Sequence, residues 1–585
     1  MLYQQHFQEG AQRLKHMFLH TRFFAEGIRM IQKLILALIA ISFLAPAYRG
    51  QTVKDEKTPE DEVTLRKTLL TGDVKLLGRE MSDLTDPLQR AFAGAVVASA
   101  GWSLDQDWAK GLLRDAYELT LPDEKEREGL RERPLGTDPT EPDGLELRRA
   151  AVRGRVLAVA RRDKAFADQL VKWAGEQLGK MQQQGMYSKL ADWSLKSEDL
   201  EAASQYAWQA IEAEPTQLSG NILNMALKDR DAADRLIIKY IDLLKTIQIS
   251  RNSAIRIYLG LNFAVFPNSF TSITAESRPV PPAGPQVVKA YLSYVIESLA
   301  NLEQREPGSV IALRNHLLQL WPLVQEYAPD LISPFSQLAV MSRTQGQDVD
   351  LPTVSFEETR KAIYDQSLSK AHKTNTPEDI EKALRSAILY KDFDEARRLM
   401  TLLEDERLRE KFAEDLNLNE AISLTRKGDM IGAQRLAQKL TLPQSILRVY
   451  PGIINLCASE KDMICALSLA NEAVKRLKRF SERPELPRVY GELASSLAPI
   501  DQTMALELLD EMVRAANRVP IGTDNGYPGF NVNVFTVLAS AHEERVGLAA
   551  KSLSDRLQRI ASLAAIYEWK AEQLNRQEGD KSRRF

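Results

Sequence analysis

Apolar residues recur at three- and four-residue spacing along the chain from Val63 onward. This spacing places them on one face of a helix, so it is the pattern of amphipathic helices. Runs in which Val, Ile, Thr and Tyr alternate with polar residues, as half-buried strands require, are scarce. The good helix formers Ala, Leu, Arg, Glu, Lys and Gln are abundant. The sequence therefore predicts an all-α protein.

A short motif recurs at intervals that suit one helical hairpin. It consists of Asp, then Ala four residues later, then Leu or Tyr three residues after that. The last four copies start 37, 33 and 39 residues apart. We expect the Asp to cap the second helix of a hairpin, the Ala to let a neighbouring helix approach closely, and the larger residue to fill that contact. The copies start at Asp105, Asp163, Asp199, Asp229, Asp392, Asp429, Asp462 and Asp501.

Residues 197–215 resemble the second helix of a tetratricopeptide repeat. The family pattern has an acidic cap, two small residues, an aromatic residue and a closing proline, which here are Asp199, Ala203, Ala210, Tyr206 and Pro215. The first-helix signature of the family is not clear in any unit, and most units lack the closing proline. The resemblance is clearest at 186–240 and 378–518. It implies a superhelical array of α-α hairpins, a tetratricopeptide-like solenoid in one or two arms, that binds a protein or peptide partner.

The first 47 residues have the features of a signal peptide. Lys33 precedes an apolar run from Leu34 to Leu44, and the small residues 45–47 suit cleavage after Ala47. The run is shorter than the roughly 20 apolar residues that a membrane anchor needs. Residues 1–29 fit a signal poorly, so translation starting at Met30 is an alternative. We expect an exported mature chain, in the periplasm or outside the cell.

The remaining sequence suggests two helical regions. Residues 48–62 are polar and are interpreted as a flexible leader. We expect an N-terminal helical-repeat region at 63–343, a linker at 344–353, a C-terminal helical-repeat region at 354–575 and a tail at 576–585. Three segments rich in Pro, Gly or charge are predicted to be loops, and they lie at 121–144, 266–285 and 520–533.

The charge balance does not favour nucleic acid as a partner. The chain has 77 Lys and Arg against 80 Asp and Glu, and a mildly acidic protein does not attract a phosphate backbone. The six arginines between Arg148 and Arg162 are the exception. We interpret them as a solvated or salt-bridged helix face, neutralised by the acidic segment before them. A site for an anionic polymer is the alternative.

No catalytic or metal-binding motif is evident. The segment that begins at His542 starts like a zinc-protease helix, but Val546 stands where the second His ligand would be. We therefore expect no cofactor, no metal and no catalytic residue. Five of the seven tryptophans lie between Trp102 and Trp208, where core packing is the preferred interpretation and a sugar-stacking cleft the alternative.

The only two cysteines, Cys457 and Cys465, flank a predicted helix–helix corner. A disulfide across this corner is geometrically possible in an oxidising compartment. The alternative is that both are small buried apolar residues.

Aromatic residues in the two later loops are the candidate binding residues. They are Phe266, Phe270, Tyr527 and Phe530, since exposed aromatic rings on a rigid frame often anchor partners. The other interpretation is that these rings fill the inner groove or cap a repeat. We predict an exported, non-catalytic scaffold that binds a protein or peptide. The alternatives are an exported helical-toroid enzyme acting on polysaccharide and a structural envelope protein without a defined ligand.

Overall fold

The computed structural model describes residues 59–131, 144–216, 218, 220–266, 283–306, 314–341, 356–480, 483–518 and 529–582. The chain divides into two compact units, residues 1–66 and 67–585, and the second contains nearly all of the described residues. Every regular element in the described ranges is a helix. The predicted all-α fold class, an array of helical hairpins, is therefore confirmed.

The helices of the N-terminal half are α1 (Pro59–Glu80), α2 (Pro87–Gly101), α3 (Gln106–Glu118), α4 (Glu124–Arg131), α5 (Gly144–Ala160), α6 (Lys164–Leu178), α7 (Lys180–Lys196), α8 (Leu200–Ala213), α9 (Asn221–Lys228), α10 (Arg230–Leu244), α11 (Arg251–Val265), α12 (Pro285–Arg305), α13 (Arg314–Tyr327) and α14 (Ile332–Met341). Those of the C-terminal half are α15 (Phe356–Thr374), α16 (Pro377–Tyr390), α17 (Phe393–Thr401), α18 (Glu406–Arg426), α19 (Met430–Ala437), α20 (Pro443–Ser459), α21 (Met463–Leu477), α22 (Leu486–Leu497), α23 (Gln502–Arg518), α24 (Asn533–Lys551) and α25 (Arg556–Ser582). Neighbouring helices pack against each other in pairs.

The repeated Asp residues cap helices as predicted. In all eight copies the carboxylate accepts a hydrogen bond from the backbone N–H three residues later, which satisfies a donor that has no partner inside the helix. The alanine of each copy is completely buried, and these residues are Ala109, Ala167, Ala203, Ala233, Ala396, Ala433, Ala466 and Ala505. The first copy departs from the pattern at its third position, where Leu112 is half-buried and Leu113 is in the core.

Four hairpin turns share one backbone geometry. The residue before the cap has a positive φ in each, at Glu198 (64°), Lys391 (60°), Gly428 (79°) and Lys461 (62°). The N–H of the cap residue then donates to the carbonyl five residues earlier, for example Asp462 to Cys457 at 2.9 Å. This is the bond that closes the C-terminus of a helix in a Schellman motif. A left-handed residue followed by Asp therefore ends one helix and starts the next.

The C-terminal helix packs against the start of the N-terminal region. Helix α25 contacts α2 as extensively as it contacts its own hairpin partner α24. The Ser99 hydroxyl donates to the Glu568 carboxylate at 2.7 Å, and Arg162 pairs with the same carboxylate. Lys67 lies 2.6 Å from Glu578, and Arg556 lies 3.1 Å from Asp83. The helices are therefore stacked in the order α15 to α25, followed by α2 to α14.

Three predicted boundaries differ from the structure. The segment 121–144 was expected to be a loop, but it contains α4, which packs against α6. Gly179 makes this packing possible for two reasons. It adopts a φ of 86°, which favours glycine, and any Cβ at this position would clash with the Leu130 carbonyl oxygen, 2.8 Å away. The expected leader at 48–62 overlaps α1, and the expected tail at 576–585 overlaps α25. Residues 1–47 and the linker at 344–353 lie outside the described residues.

Candidate binding surfaces

The four predicted binding aromatics do not share one environment. Phe530 is only 6% exposed, and its ring centroid lies 6.1 Å from that of Phe535 at the start of α24. It is a core residue in this structure, so it does not offer the exposed ring that a binding anchor requires. Phe270 and Tyr527 lie outside the described residues.

Phe266 is half-buried at the C-terminal end of α11. Its ring lies 6.1 Å from that of Tyr291 on α12 and 6.5 Å from that of Tyr327 on α13. The two ends of the intervening segment meet, because the Ala283 N–H donates to the Val265 carbonyl at 3.2 Å. Phe266 therefore packs against α12 and α13 at the point where α11 ends.

An open groove lies next to the Ala283–Val265 contact, between α10 and the start of α12. It has a volume of about 700 Å³ and is lined by Asp231, Asp234, Arg235, Ile238 and residues 284–287. Asp234 is committed to structure, since it accepts from the Gly284 N–H at 2.9 Å and from Arg230 at 2.7 Å. Asp231 and Arg235 are exposed. The groove therefore combines an apolar floor with one exposed charge of each sign.

The arginines between residues 148 and 162 are engaged within the chain. Their partners include Asp86 for Arg148, Glu126 for Arg149, Glu146 for Arg153, the Trp193 ring for Arg161 and Glu568 for Arg162. Arg153 is 3% exposed and also donates to the Thr120 carbonyl at 2.8 Å. Burial lowers the pKa of Arg155. The interpretation as a salt-bridged face is confirmed for Arg148, Arg149, Arg153 and Arg162, while Arg161 packs on a ring instead. Among these four acidic partners, only Glu126 belongs to the acidic segment that precedes the arginines.

The clustered tryptophans pack in successive hairpins. The rings of Trp102 and Trp173 contact Phe166 and Tyr117, with centroids 6.3 and 5.3 Å apart. Lys239 lies 3.7 Å from the centroid of the Trp208 ring, and Lys75 lies 5.9 Å from that of Trp108. These contacts stabilise neighbouring helices. They favour the packing interpretation over a shared sugar-binding cleft.

The shifted pKa values have structural causes. Hydrogen bonds from Lys75 and Lys110 lower the pKa of the cap residues Asp105 and Asp163. Burial raises the pKa of Tyr117 to about 12 and also raises that of Asp168. Across the described ranges no group of three or more His, Cys, Asp or Glu side chains could hold a metal ion. His542 is exposed and lies at a kink in α24, with a φ of −146°.

Cys457 and Cys465 are joined in the structure. Their Cα atoms lie 5.9 Å apart, and the bond connects the last turn of α20 to the first turn of α21. The Sδ atom of Met430, at the start of α19, lies 3.5 Å from Cys457 Sγ. The first turns of α19 and α21 are therefore linked through Cys457.

The sequence analysis missed two strongly exposed isoleucines in these same turns. Ile431 is 83% exposed and Ile464 is 84% exposed. Each is the second residue after a cap Asp, a position that is acidic in four other copies, at Asp107, Glu201, Asp231 and Asp394. An alignment of the copies on their cap residues would have revealed them, because an apolar residue is unexpected at that position.

Comparisons with known proteins give no relative from which a function can be transferred. No protein-family model matches the chain, and no curated protein matches it. One similar solved structure is titled "Circular tandem repeat protein with novel repeat topology and enhanced subunit contact surfaces". It is 13% identical, with 84% of this chain and 98% of that chain covered and a TM-score of 0.17, so no argument is based on it. None of the described helices is both long and apolar enough to span a membrane.

Proposed function

We propose that this protein is an exported, non-catalytic scaffold of tetratricopeptide-like repeats that binds a protein or peptide partner. The observation that supports binding most directly is the groove between α10 and α12. Its volume of about 700 Å³ suits a few side chains of a partner segment, and grooves of this size are typical ligand sites. The capped hairpins on either side hold it in place.

The chemistry of the groove indicates how a partner would bind. Ile238 and Val287 provide an apolar floor, while Asp231 and Arg235 stand at the edge. Opposite charges at the rim would orient a segment that carries complementary charges, and the apolar floor would supply the contact area. Phe266 follows Val265, whose carbonyl accepts from the Ala283 N–H beside the groove.

A pull-down followed by a charge exchange tests this proposal. The tagged protein is used to isolate partners from its native compartment, and the double variant Asp231→Lys with Arg235→Glu is compared with it. We expect affinity for the partner to fall about tenfold, which corresponds to about 1.4 kcal/mol, because both rim charges then repel the groups they attracted. Thermal stability should fall only slightly, since neither side chain is buried and the loss of an acidic residue from the first turn of α10 costs about 1 kcal/mol or less.

A matched exchange on another helix provides the control. Arg407 and Glu410 are exposed on α18, and Arg407→Glu with Glu410→Lys alters the same charges without touching the groove. Binding should survive this change. Equal affinity of the groove variant and the control variant would show that the groove is not the binding site.

Export is the part of the proposal that depends on the first 47 residues. Cleavage after Ala47 would make Tyr48 the first residue of the mature protein. N-terminal sequencing of natively expressed protein checks this directly. A mature chain that retains Met1 or Met30 would overturn the export proposal and would leave the groove proposal intact.

A further inference from the structure

Helix α1 carries two apolar stripes on nearly opposite faces. One is buried in the fold and consists of Val63, Leu70, Val74 and Leu77. The other is exposed, and we define this leucine seam as Leu65, Leu69, Gly72 and Leu76. Its leucines are 46%, 62% and 52% exposed. Because helix residues three or four positions apart have Cβ atoms about 5–6 Å from each other, the seam is one continuous surface on a single helix.

The spacing of the seam is that of a helix pair. Its members are four, three and four residues apart, which is the repeat with which two helices pack along a shared line. A helix that already buries one apolar face in its own fold can use a second one only against another element. The spacing reads the same in both directions of the chain. The seam can therefore lie against an antiparallel copy of itself.

An antiparallel copy also matches the seam in size. With the midpoints aligned, Leu65 of one chain lies opposite Leu76 of the second copy. Leu69 then lies opposite Gly72, where an added Cβ would meet no atom of the chain within 4 Å, so the space above this glycine is open to a leucine side chain. A parallel copy would instead place Gly72 against Gly72 and Glu62 against Glu62. That arrangement leaves a gap and opposes like charges.

The charges beside the seam favour the same arrangement. Arg66 and Asp73 are exposed and flank the seam on the same side of α1. In the antiparallel pair, Arg66 of each chain lies beside Asp73 of the other, so opposite charges meet twice. Within one chain Glu62 pairs with Arg66 at 2.6 Å and Lys75 pairs with Asp105 at 2.7 Å.

The charges beyond the ends of the seam are mixed. Glu62 of one chain would lie near both Arg79 and Glu80 of the second copy, so attraction and repulsion there offset each other. The specific charge contact is therefore that between Arg66 and Asp73. We propose that α1 joins two copies of this chain in an antiparallel, two-fold symmetric dimer. The seam is about 18 Å long, which makes this a small interface, so the dimer dissociates on dilution.

Sedimentation velocity over about a hundredfold range of protein concentration tests this proposal. The unmodified protein should sediment as a monomer when dilute and as a dimer when concentrated. Leu69→Glu should raise the dissociation constant of the dimer about tenfold or more, because it places a carboxylate against the apolar seam. The matched control is Leu548→Glu, since Leu548 on α24 is also 62% exposed. The control variant should dimerise like the unmodified protein.

A charge exchange tests the antiparallel arrangement itself. Arg66→Asp and Asp73→Arg should each weaken the dimer, because like charges then face each other. A mixture of the two variants should recover association, since a mixed dimer again contains two pairs of opposite charges. A role of these residues within one chain would not produce recovery on mixing. The same pair of variants tests the proposal if Leu69→Glu folds poorly.

A protein that stays monomeric at every concentration, as expected if another part of its own chain covers the seam, would overturn the proposal. Equal dissociation constants for Leu69→Glu and Leu548→Glu would also overturn it, as would mixed charge variants that associate no better than each one alone. Loss of a partner protein in Leu69→Glu, with self-association unchanged, would assign the seam to that partner instead. The groove variants should dimerise normally, so failure of the groove proposal and failure of this one are distinguishable.

Discussion

Glu414 makes a buried connection between two hairpins that can be tested by substitution. It lies on α18 and is 7% exposed. Its carboxylate accepts hydrogen bonds from the Thr441 N–H at 2.8 Å, the Thr441 hydroxyl at 2.9 Å and the Leu442 N–H at 3.0 Å. Leu442 occupies the N-cap position of α20, but its apolar side chain cannot accept a hydrogen bond from the helix. Glu414 therefore holds the N-cap residue of α20 and the residue before it from a neighbouring helix.

The expected cost of removing this carboxylate follows from its three bonds. A hydrogen bond to a charged group contributes about 1.5–3 kcal/mol, and a buried donor left unsatisfied costs about 1–3 kcal/mol. Thr441 and Leu442 are partly accessible to water, which would recover part of the loss. We expect Glu414→Ala to destabilise the array by about 2–4 kcal/mol. Glu414→Gln keeps one carbonyl oxygen as an acceptor, so we expect it to destabilise the array by about half as much.

Urea unfolding followed by circular dichroism measures this effect. Repeat arrays can lose cooperativity, so hydrogen exchange at the Thr441 and Leu442 amides provides a local readout. Both amides should lose protection in Glu414→Ala. The matched control is Glu410→Ala, an exposed residue on the same helix, which should change stability by no more than about 0.5 kcal/mol. Equal unfolding midpoints for the two alanine variants would refute this account of Glu414.

Three other predictions address the repeat frame, the aromatic residues and the cysteines. Ala433→Leu should overpack a completely buried contact and cost about 1–3 kcal/mol, and an unchanged urea midpoint would mean that the repeats are wrongly aligned. Phe530→Ala should cost about 3–5 kcal/mol because its ring is in the core, whereas a small loss of stability together with weaker partner binding would restore the original binding prediction. Mass spectrometry of non-reduced protein from an oxidising compartment should show Cys457 linked to Cys465, and two free thiols there would contradict the bond.

The features that the sequence predicted correctly are local ones. An Asp at a helix start, an Ala four residues later and a Leu after that act over two turns of one helix, so their spacing alone carries the information. The same locality explains the error at 121–144. The charged run from Glu124 to Arg131 was interpreted as a loop, but its residues are good helix formers and it gains a packing surface at Gly179.

Features that depend on distant residues could not be predicted. Ser99 and Glu568 are separated by 469 positions, and nothing near either residue indicates the other. The burial of Phe530 depends on the fold of the last hairpin, although its aromatic neighbour Phe535 is only five residues away. Ile431 and Ile464 are intermediate, since their position after the cap is visible in the sequence but their exposure depends on how the hairpins stack.

The most direct test of the array is zero-length crosslinking across the contact between α25 and the N-terminal helices. Lys67 Nζ lies 2.6 Å from the Glu578 carboxylate, and Lys110 Nζ lies 2.6 Å from Asp163 within the N-terminal region. Carbodiimide treatment followed by peptide mass spectrometry should detect an amide bond for both pairs. A Lys110–Asp163 link without a Lys67–Glu578 link, at equal peptide coverage, would contradict the packing order in which the C-terminal region leads directly into the N-terminal one.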